Sequence, residues 1–381
     1  MRSEPPPLGL YVHWPYCARI CPYCDFNVVR DRGRADEAGR LLRAILADLE
    51  AQAALLGERR LVSIFFGGGT PSLMRPADVA RVIAAARRLW PGADDLEITL
   101  EANPTDAEAE RFAGLAEAGV GRLSLGVQSL NDAELAFLGR NHDAAAARRA
   151  VRQAMAHFPR VSVDLIYALP NQTPSAWAAA LAEVADFGVE HISPYQLTIE
   201  AGTAFDRAVR RGLFAPPTDD LAAELYETTQ SALTAAGFEA YEVSNHARGL
   251  AARARHNLVY WRGEDYAGVG PGAHGRLSLS DGRYAAEAPR GIPEYIVRVE
   301  AEGLGARLSP LSARDRAIER LLMGLRTVEG VARADLEPLA IAPARLADLD
   351  GFVRLTDERL VATARGRPLL DRVIAELAHA D

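Results

Sequence analysis

Three cysteines are the chain's whole complement of thiols, and they stand together near the N-terminus in Tyr11-Val-His-Trp-Pro-Tyr-Cys17-Ala-Arg-Ile-Cys21-Pro-Tyr-Cys24-Asp-Phe-Asn27. Thiolates are soft donors that suit iron–sulfur clusters and zinc, and close spacing in one loop lets several sulfurs face one centre. A structural zinc ion wants four ligands, for which His13 is at hand. A [4Fe-4S] cubane held by Cys17, Cys21 and Cys24 instead leaves one iron open to a further ligand. Unligated thiols are the plain alternative to both.

A second element is Phe66-Gly67-Gly68-Gly69-Thr70-Pro71, between a strand-like and a helix-like run. Without side chains the backbone can approach a ligand closely, although a plain turn uses glycine too. Further polar residues recur where successive strands end: Glu101 in LEANP, Gln128 in GVQS and Asp164 in VDLIYALP, with Arg140 following in LGRNH. Each type also serves as a helix cap or turn residue; their recurrence after one strand after another is what points to a site. A third element is His256-Asn257-Leu258-Val259-Tyr260-Trp261. A neutral imidazole can ligate heme iron and two aromatic rings offer flat apolar contact, although such a histidine is also an ordinary hydrogen-bonded structural residue. Arg248, Arg253, Arg255 and Arg262 surround this motif, and a guanidinium fork suits a propionate carboxylate as well as it suits solvent.

These residues need a frame. From position 8 to about 198, short β-rich runs (9–13, 61–66, 96–101, 122–128, 161–166 and 191–197) alternate with amphipathic helical patterns (37–55, 76–89, 107–118, 143–156 and 174–187). Six βα units predict an α/β fold, a partial (β/α)6 TIM-like barrel whose working face lies at the strand C-termini; a doubly wound sheet is the main alternative. After Gly202 the alternation weakens to a helix at 219–236, a strand-like 240–244 and a turn-rich stretch at 245–293, which reads as a cap. A helix at 313–325, two short helical pieces, a strand pair at 353–355 and 360–362 and a last helix suggest a small α+β, winged-helix-like domain. The expected division is 1–200, 201–305 and 306–381.

Composition bounds the function. With 49% apolar and 25% charged residues the 381-residue chain can bury a sizeable core. The formal net charge of −8 and pI of about 5.6 offer no overall field for nucleic acid, so none is expected as a partner. The start of the chain shows no apolar run of a secretory signal, and no stretch approaches the roughly 20 apolar residues of a membrane span. Three thiols, an odd number, fit a reducing compartment better than a disulfide scaffold, so a cytoplasmic location is expected.

The cysteine spacing, with an aromatic residue before the last cysteine, and the GGGTP run together resemble the radical S-adenosylmethionine superfamily. That resemblance implies that Cys17, Cys21 and Cys24 ligate a [4Fe-4S] cluster whose open iron chelates the methionyl group of S-adenosylmethionine. An electron from the cluster then cleaves the sulfonium to a 5′-deoxyadenosyl radical. It further implies contacts to S-adenosylmethionine from Tyr11, Tyr23, Gly68, Gly69, Thr70, Glu101, Gln128, Arg140 and Asp164.

From Leu8 through the C-terminal domain the chain resembles the coproporphyrinogen oxidase-like branch. Its oxygen-independent dehydrogenases carry a fourth cysteine two residues beyond the third, where this sequence has Phe26 in Cys24-Asp25-Phe26-Asn27. The chain is similar instead to the HemW-like heme chaperones, which read CDFN here and carry HNxxYW as a proposed heme motif, matched in full by His256 to Trp261. The resemblance implies a protein that binds heme at His256 and passes it to acceptor proteins. It also implies an electron donor such as a flavodoxin or ferredoxin, a homodimer and a peripheral contact with a membrane-bound acceptor. The alternatives are an oxygen-independent coproporphyrinogen III oxidase that decarboxylates propionates, and a radical enzyme on an unrelated substrate.

Overall fold

The computed structural model describes residues 4–378; Met1–Ser3, which belong to the stretch read for a leader, and the last three residues lie outside it. Six parallel strands form its centre: β1 (Pro7–Trp14), β2 (Arg60–Gly68), β3 (Gly92–Ala102), β4 (Arg122–Gln128), β5 (Arg160–Tyr167) and β6 (His191–Gln196). They neighbour one another in strict sequence order. A doubly wound sheet would reverse its order at a switch point, so the winding is that of a barrel. Among the described residues the ordering runs to two free edges without closing. The fold is therefore the expected α/β partial barrel.

Register explains how the barrel is covered. Leu10, Ile64 and Ile98 stand side by side, as do Val12, Phe66, Leu100, Leu123 and Val161, and these rows bury their side chains completely or nearly so. They are apolar because helices cover that face; Leu41, Ile45 and Leu49 of the helix Ala35–Leu56 and Val79 and Val82 of Pro76–Leu89 belong to the same core. Helices start on capping side chains: Asp143 and Thr173, for example, each accept a backbone N–H, and Ser312 closes a capping box with Asp315. The expected helix at 107–118 is instead two pieces, Asp106–Ala109 and Phe112–Glu117. At the junction the Arg111 N–H bonds the Glu108 carbonyl at 2.9 Å, a tighter turn, and the Glu108 side chain, 3% exposed, accepts hydrogen bonds from Ser72 Oγ and the Asn103 N–H.

The alternate rows face inward and are polar. Ser63, Glu97, Thr99, Arg122, Ser162 and His191 are each at most 5% exposed. Burying such groups without partners costs several kcal/mol, so they must be paired. Glu97 accepts from Arg160 Nη1 at 2.8 Å, stands 3.5 Å from Arg122 Nη1, and accepts the His256 N–H at 3.2 Å. Arg122 and Arg160 in turn donate to the carbonyls of Ala252 and Ala251. His191 bridges Ser162 Oγ at 2.7 Å and the Tyr241 hydroxyl at 2.8 Å.

The stretch 245–293, expected to be turn-rich, is largely regular. It holds the helix Arg255–Trp261, which packs against β1 and β2, and three strands of the main sheet: β7 (Asp265–Val269), β8 (His274–Leu279) and β9 (Gly282–Glu287). β7 runs parallel to β1, and β8, β9 and β10 (Arg307–Pro310) follow antiparallel. Of the strand-like 240–244 only Ala240 lies in a strand, Glu239–Ala240, which is paired through His246–Ala247 to β6. The C-terminal segment builds a three-stranded sheet of Val331–Ala332, Arg359–Ala362 and Val353–Leu355 with helices Ala313–Gly324 and Leu370–Ala378, around its own core of Leu321, Val331, Leu360 and Val373.

Removing one partner of a buried ion pair strands the other charge. Glu97→Ala is expected to lower unfolding stability by about 3–5 kcal/mol, because Arg122 loses its carboxylate at 2% exposure. A urea titration checks it, and a loss under about 1 kcal/mol would show that the inner network does not hold the barrel.

Candidate cofactor site

At the C-terminal ends of the strands a cavity of about 350 Å³ is lined by Cys17, Cys21 and Cys24. Tyr23, Gly68, Gly69, Thr70, Glu101, Gln128, Arg140 and Asp164 complete its wall. Eleven of the thirteen residues assigned to the cluster, S-adenosylmethionine and heme iron thus meet at one place; Tyr11 and His256 do not line it.

Each side chain reaches the cavity for a local reason. The cysteine loop leaves β1, and its short strand Tyr16–Cys17 pairs with Val29–Arg30 to close it. The glycines after β2 let the backbone pass under that loop: a Cβ on Gly69 would lie 2.7 Å from Pro15 and Tyr16 backbone atoms, and one on Gly68 would strike the His13 ring. The Gly69 and Thr70 N–H groups are spent on the carbonyls of Trp14 and Tyr16 at 2.7 and 2.8 Å. Gln128 ends β4 at φ 66°, a left-handed conformation rare for a residue with a side chain, and its buried Oε1 has no hydrogen-bond partner among the described residues. Strain and an unspent acceptor at a strand end mark a place built for a ligand's donor.

Arg140 organises the rest. Its Nη1 donates to Cys21 Sγ at 3.2 Å and to the Tyr23 hydroxyl at 3.4 Å, while Nη2 donates to Asn103 Oδ1 and to the Gly126 carbonyl at 2.9 Å. Asn103 continues to Thr70 Oγ1 at 3.1 Å. One guanidinium so ties the cysteine loop to the ends of β3 and β4. Asn103 went unremarked in the sequence although it lies two residues past Glu101 in the same LEANP run.

Burial sets the charges. It lifts the Cys17 thiol to about 11 and pushes Cys24 upward as well, so these sulfurs ionise only with a positive centre beside them. Glu101 is raised to about 8, first by burial and then by the charge of Asp164, which burial raises to about 6. Ser124 Oγ donates to Asp164 at 2.9 Å and the Gly68 N–H to Glu101 at 3.2 Å.

The zinc reading needs His13 as a fourth ligand, but His13 lies on the other side of the glycine run. Its Nδ1 meets the Tyr11 hydroxyl at 3.0 Å and its Nε2 donates to the Asn27 carbonyl at 2.8 Å. Three thiols along one wall, an arginine on one sulfur, a glycine cradle and an unspent amide oxygen fit a cluster with an organic co-ligand. Asn27 adds a clamp, its Nδ2 donating to the carbonyls of Pro271 and Arg290, each at 2.9 Å.

Tyr11 departs from expectation by lining a second, larger cavity. His256, expected as an open axial ligand, departs further. It is 1% exposed, with Nδ1 on Ser63 Oγ at 2.9 Å, Nε2 on the Tyr260 hydroxyl, and the ring stacked on Phe65 at 4.8 Å. Burial depresses its pKa to about 3, and neither nitrogen is presented to a cavity. The surrounding arginines are not gathered for propionates either. Arg248 lies over Phe238, Arg253 over Tyr241, Arg255 pairs with Asp95 and Arg262 with Glu329, and of the four only Arg262 lines the larger cavity.

An open barrel with a strand-end cavity holding C-x3-C-x2-C defines a class, and the family model of the Radical SAM superfamily matches residues 11–184. Over 99% of the chain the fold is that of coproporphyrinogen III oxidase (HemN) from Escherichia coli, with a TM-score of 0.82 over 91% of that chain and 24% identity. Heme chaperone HemW of Mycobacterium tuberculosis (strain CDC 1551 / Oshkosh) is 36% identical over 97% of this chain and 95% of its own. The radical S-adenosyl methionine domain-containing protein 1, mitochondrial, of Bos taurus is 44% identical over 85% of this chain and 74% of its own. The chain belongs to the HemW-like family of the radical S-adenosylmethionine superfamily.

The carboxyl pair makes a pH prediction. Unfolded, Glu101 ionises near 4.5; folded, near 8, so between those values the folded state alone retains the proton and stability falls as pH rises. The ligand-free protein is expected to lose on the order of 1–2 kcal/mol from pH 5 to 8, less than 1.36 kcal/mol per pH unit because cavity water screens the group. Glu101→Gln should remove most of that slope in thermal melts; an unchanged slope would refute the assignment.

Proposed function

We propose that the chain is a heme chaperone: it binds a [4Fe-4S] cluster and S-adenosylmethionine at the strand-end cavity, takes up heme beside it, and hands heme to acceptor proteins. Cys17, Cys21 and Cys24 would hold the cluster. Tyr23, Gly68, Gly69, Thr70, Glu101, Gln128, Arg140 and Asp164 would hold S-adenosylmethionine, with Tyr11 behind them on the wall of the larger cavity. When bound, the reduced cluster supplies an electron for cleaving a sulfonium. The protein's own part is to keep Cys21 beside a guanidinium, to offer Gln128 Oε1 as an acceptor, and to keep a proton on the buried Glu101.

One observation carries the reading: residues from the ends of successive strands converge with the three thiols on one cavity that shares a wall with a much larger one. Kinship with proteins named heme chaperones, across nearly the whole chain, supports the cargo. In this reading His256 serves heme indirectly, by fixing Tyr260 in the larger cavity's wall. The coproporphyrinogen III oxidase alternative shares the fold but would have Phe26, 63% exposed, where its dehydrogenases carry a thiol. The reading includes the segments 1–200, 201–305 and 306–381 as its working domains, a cytoplasmic location and a flavodoxin- or ferredoxin-like electron donor. Dimerisation and peripheral contact with a membrane-bound acceptor belong to it as well. Among the described residues no helix is long and apolar enough to cross a membrane.

Anaerobic reconstitution tests the cofactor half. Wild type is expected to take up four irons and four sulfides, and S-adenosylmethionine to alter the spectrum of the reduced cluster. Cys21→Ser should lose the cluster, and Arg140→Gln, which removes the donor to Cys21, should weaken it roughly 10-fold. Hemin titration followed at the Soret band, with transfer to an apo-acceptor, tests the other half. No hemin uptake, together with conversion of coproporphyrinogen III to protoporphyrinogen, would replace the chaperone by the oxidase.

A further inference from the structure

The larger cavity, of about 1480 Å³, is divided from the cysteine-lined one by a wall of Asp25, Phe26, Gly68 and Glu101 common to both. Pockets for drug-sized ligands run to roughly 1,000 Å³, so this space has room for a macrocycle. One side is the face of β8 that carries His274, Arg276 and Ser278; the other is the helix Ala313–Gly324. Phe26, Tyr260, Trp261 and Tyr266 supply flat apolar surface.

The charges on this wall are not all spent. Arg276 is bound to Glu319 at 2.7 Å, Arg320 to Asp335 at 3.0 Å, Arg283 to Asp265 at 3.2 Å and Arg262 to Glu329 at 2.6 Å. Arg290 and Arg316 also line the cavity, are exposed, and have no carboxylate partner among the described residues. They are two cations free for two carboxylates.

Only two imidazoles line the cavity among the described residues, and they differ. His13 has both nitrogens engaged by Tyr11 and Asn27. His274 is 60% exposed, and its nearest carboxylate, Glu287, stands 4.0 Å from Nδ1, beyond a hydrogen bond. An imidazole with an unengaged nitrogen facing a cavity is a metal ligand in waiting. We infer that heme enters this cavity with His274 as an axial ligand to iron and with Arg290 and Arg316 receiving its two propionates. The inference rests on the heme reading proposed above and moves the iron ligand from the buried His256 to the exposed His274 on β8.

Titrations of the full chain with hemin and with metal-free protoporphyrin IX test it. Wild type is expected to bind both. His274→Ala should weaken hemin roughly tenfold or more and shift the Soret maximum, while metal-free porphyrin, which has no iron to ligate, binds as to wild type. His274→Met should restore hemin binding with a Soret maximum unlike that of wild type. The double variant Arg290→Gln, Arg316→Gln should weaken both porphyrins roughly tenfold or more, as expected for two charge-assisted hydrogen bonds. Hemin bound by His274→Ala with wild-type affinity and spectrum overturns the ligand assignment, as does an equal loss of both porphyrins in that variant. Failure of wild type to bind either porphyrin is a different result, because it removes the heme reading itself.

Discussion

A barrel strand has two faces, and here the inner one is polar from Ser63 and Glu97 through Arg122 to His191. Everything else follows from how those buried groups find partners. Charged and hydroxylic side chains inside an open barrel cannot be left to themselves. The chain returns after β6 to fill the lower interior with Tyr241 and the helix Arg255–Trp261, meeting Glu97, Ser63 and His191 with a backbone N–H, an imidazole and a phenol. The upper half of the barrel is left open, and its polar groups face the cysteine loop.

The open half concentrates charge that no protein group neutralises completely. Two carboxyls share the end of the barrel; burial raises both, and the charge of Asp164 adds to it at Glu101, which keeps its proton up to about pH 8. Burial works against ionising Cys17 and Cys24, and Arg140 is the cation that reaches Cys21. The site is preorganised in the sense that its donors and acceptors are fixed by backbone and second-layer contacts before anything binds.

The sequence was most legible where periodicity and chemistry coincide. β4 runs over 122–128 and one helix over Pro76–Leu89 with the bounds their patterns suggest, because apolar outer rows alternate with marked inner ones and Pro76 starts the helix. The strand-end residues were legible for the same reason, since a polar residue closing an apolar run has few roles. The stretch after Gly202 was not, because β7 to β9 are short and the first of them, β7, finds its neighbour in β1, more than 250 residues earlier in the chain. His256 shows the limit most clearly. Imidazole beside aromatic residues reads alike whether its nitrogens face iron or, as here, a serine and a tyrosine, and only the fold decides which neighbours arrive.

Asn27 sits where the cysteine loop ends, and its side-chain amide spans residues 244 and 263 positions away. Gly272 leaves room for it: at φ 79° a Cβ there would fall 2.5 Å from the Asn27 amide. Because both amide protons are committed, the thiol-bearing segment and the far wall travel as one piece. A guest that pushes that wall outward must drag the sulfurs or snap two N–H···O links. The two chambers are therefore geared together, and filling one can be felt in the other without any molecule crossing between them.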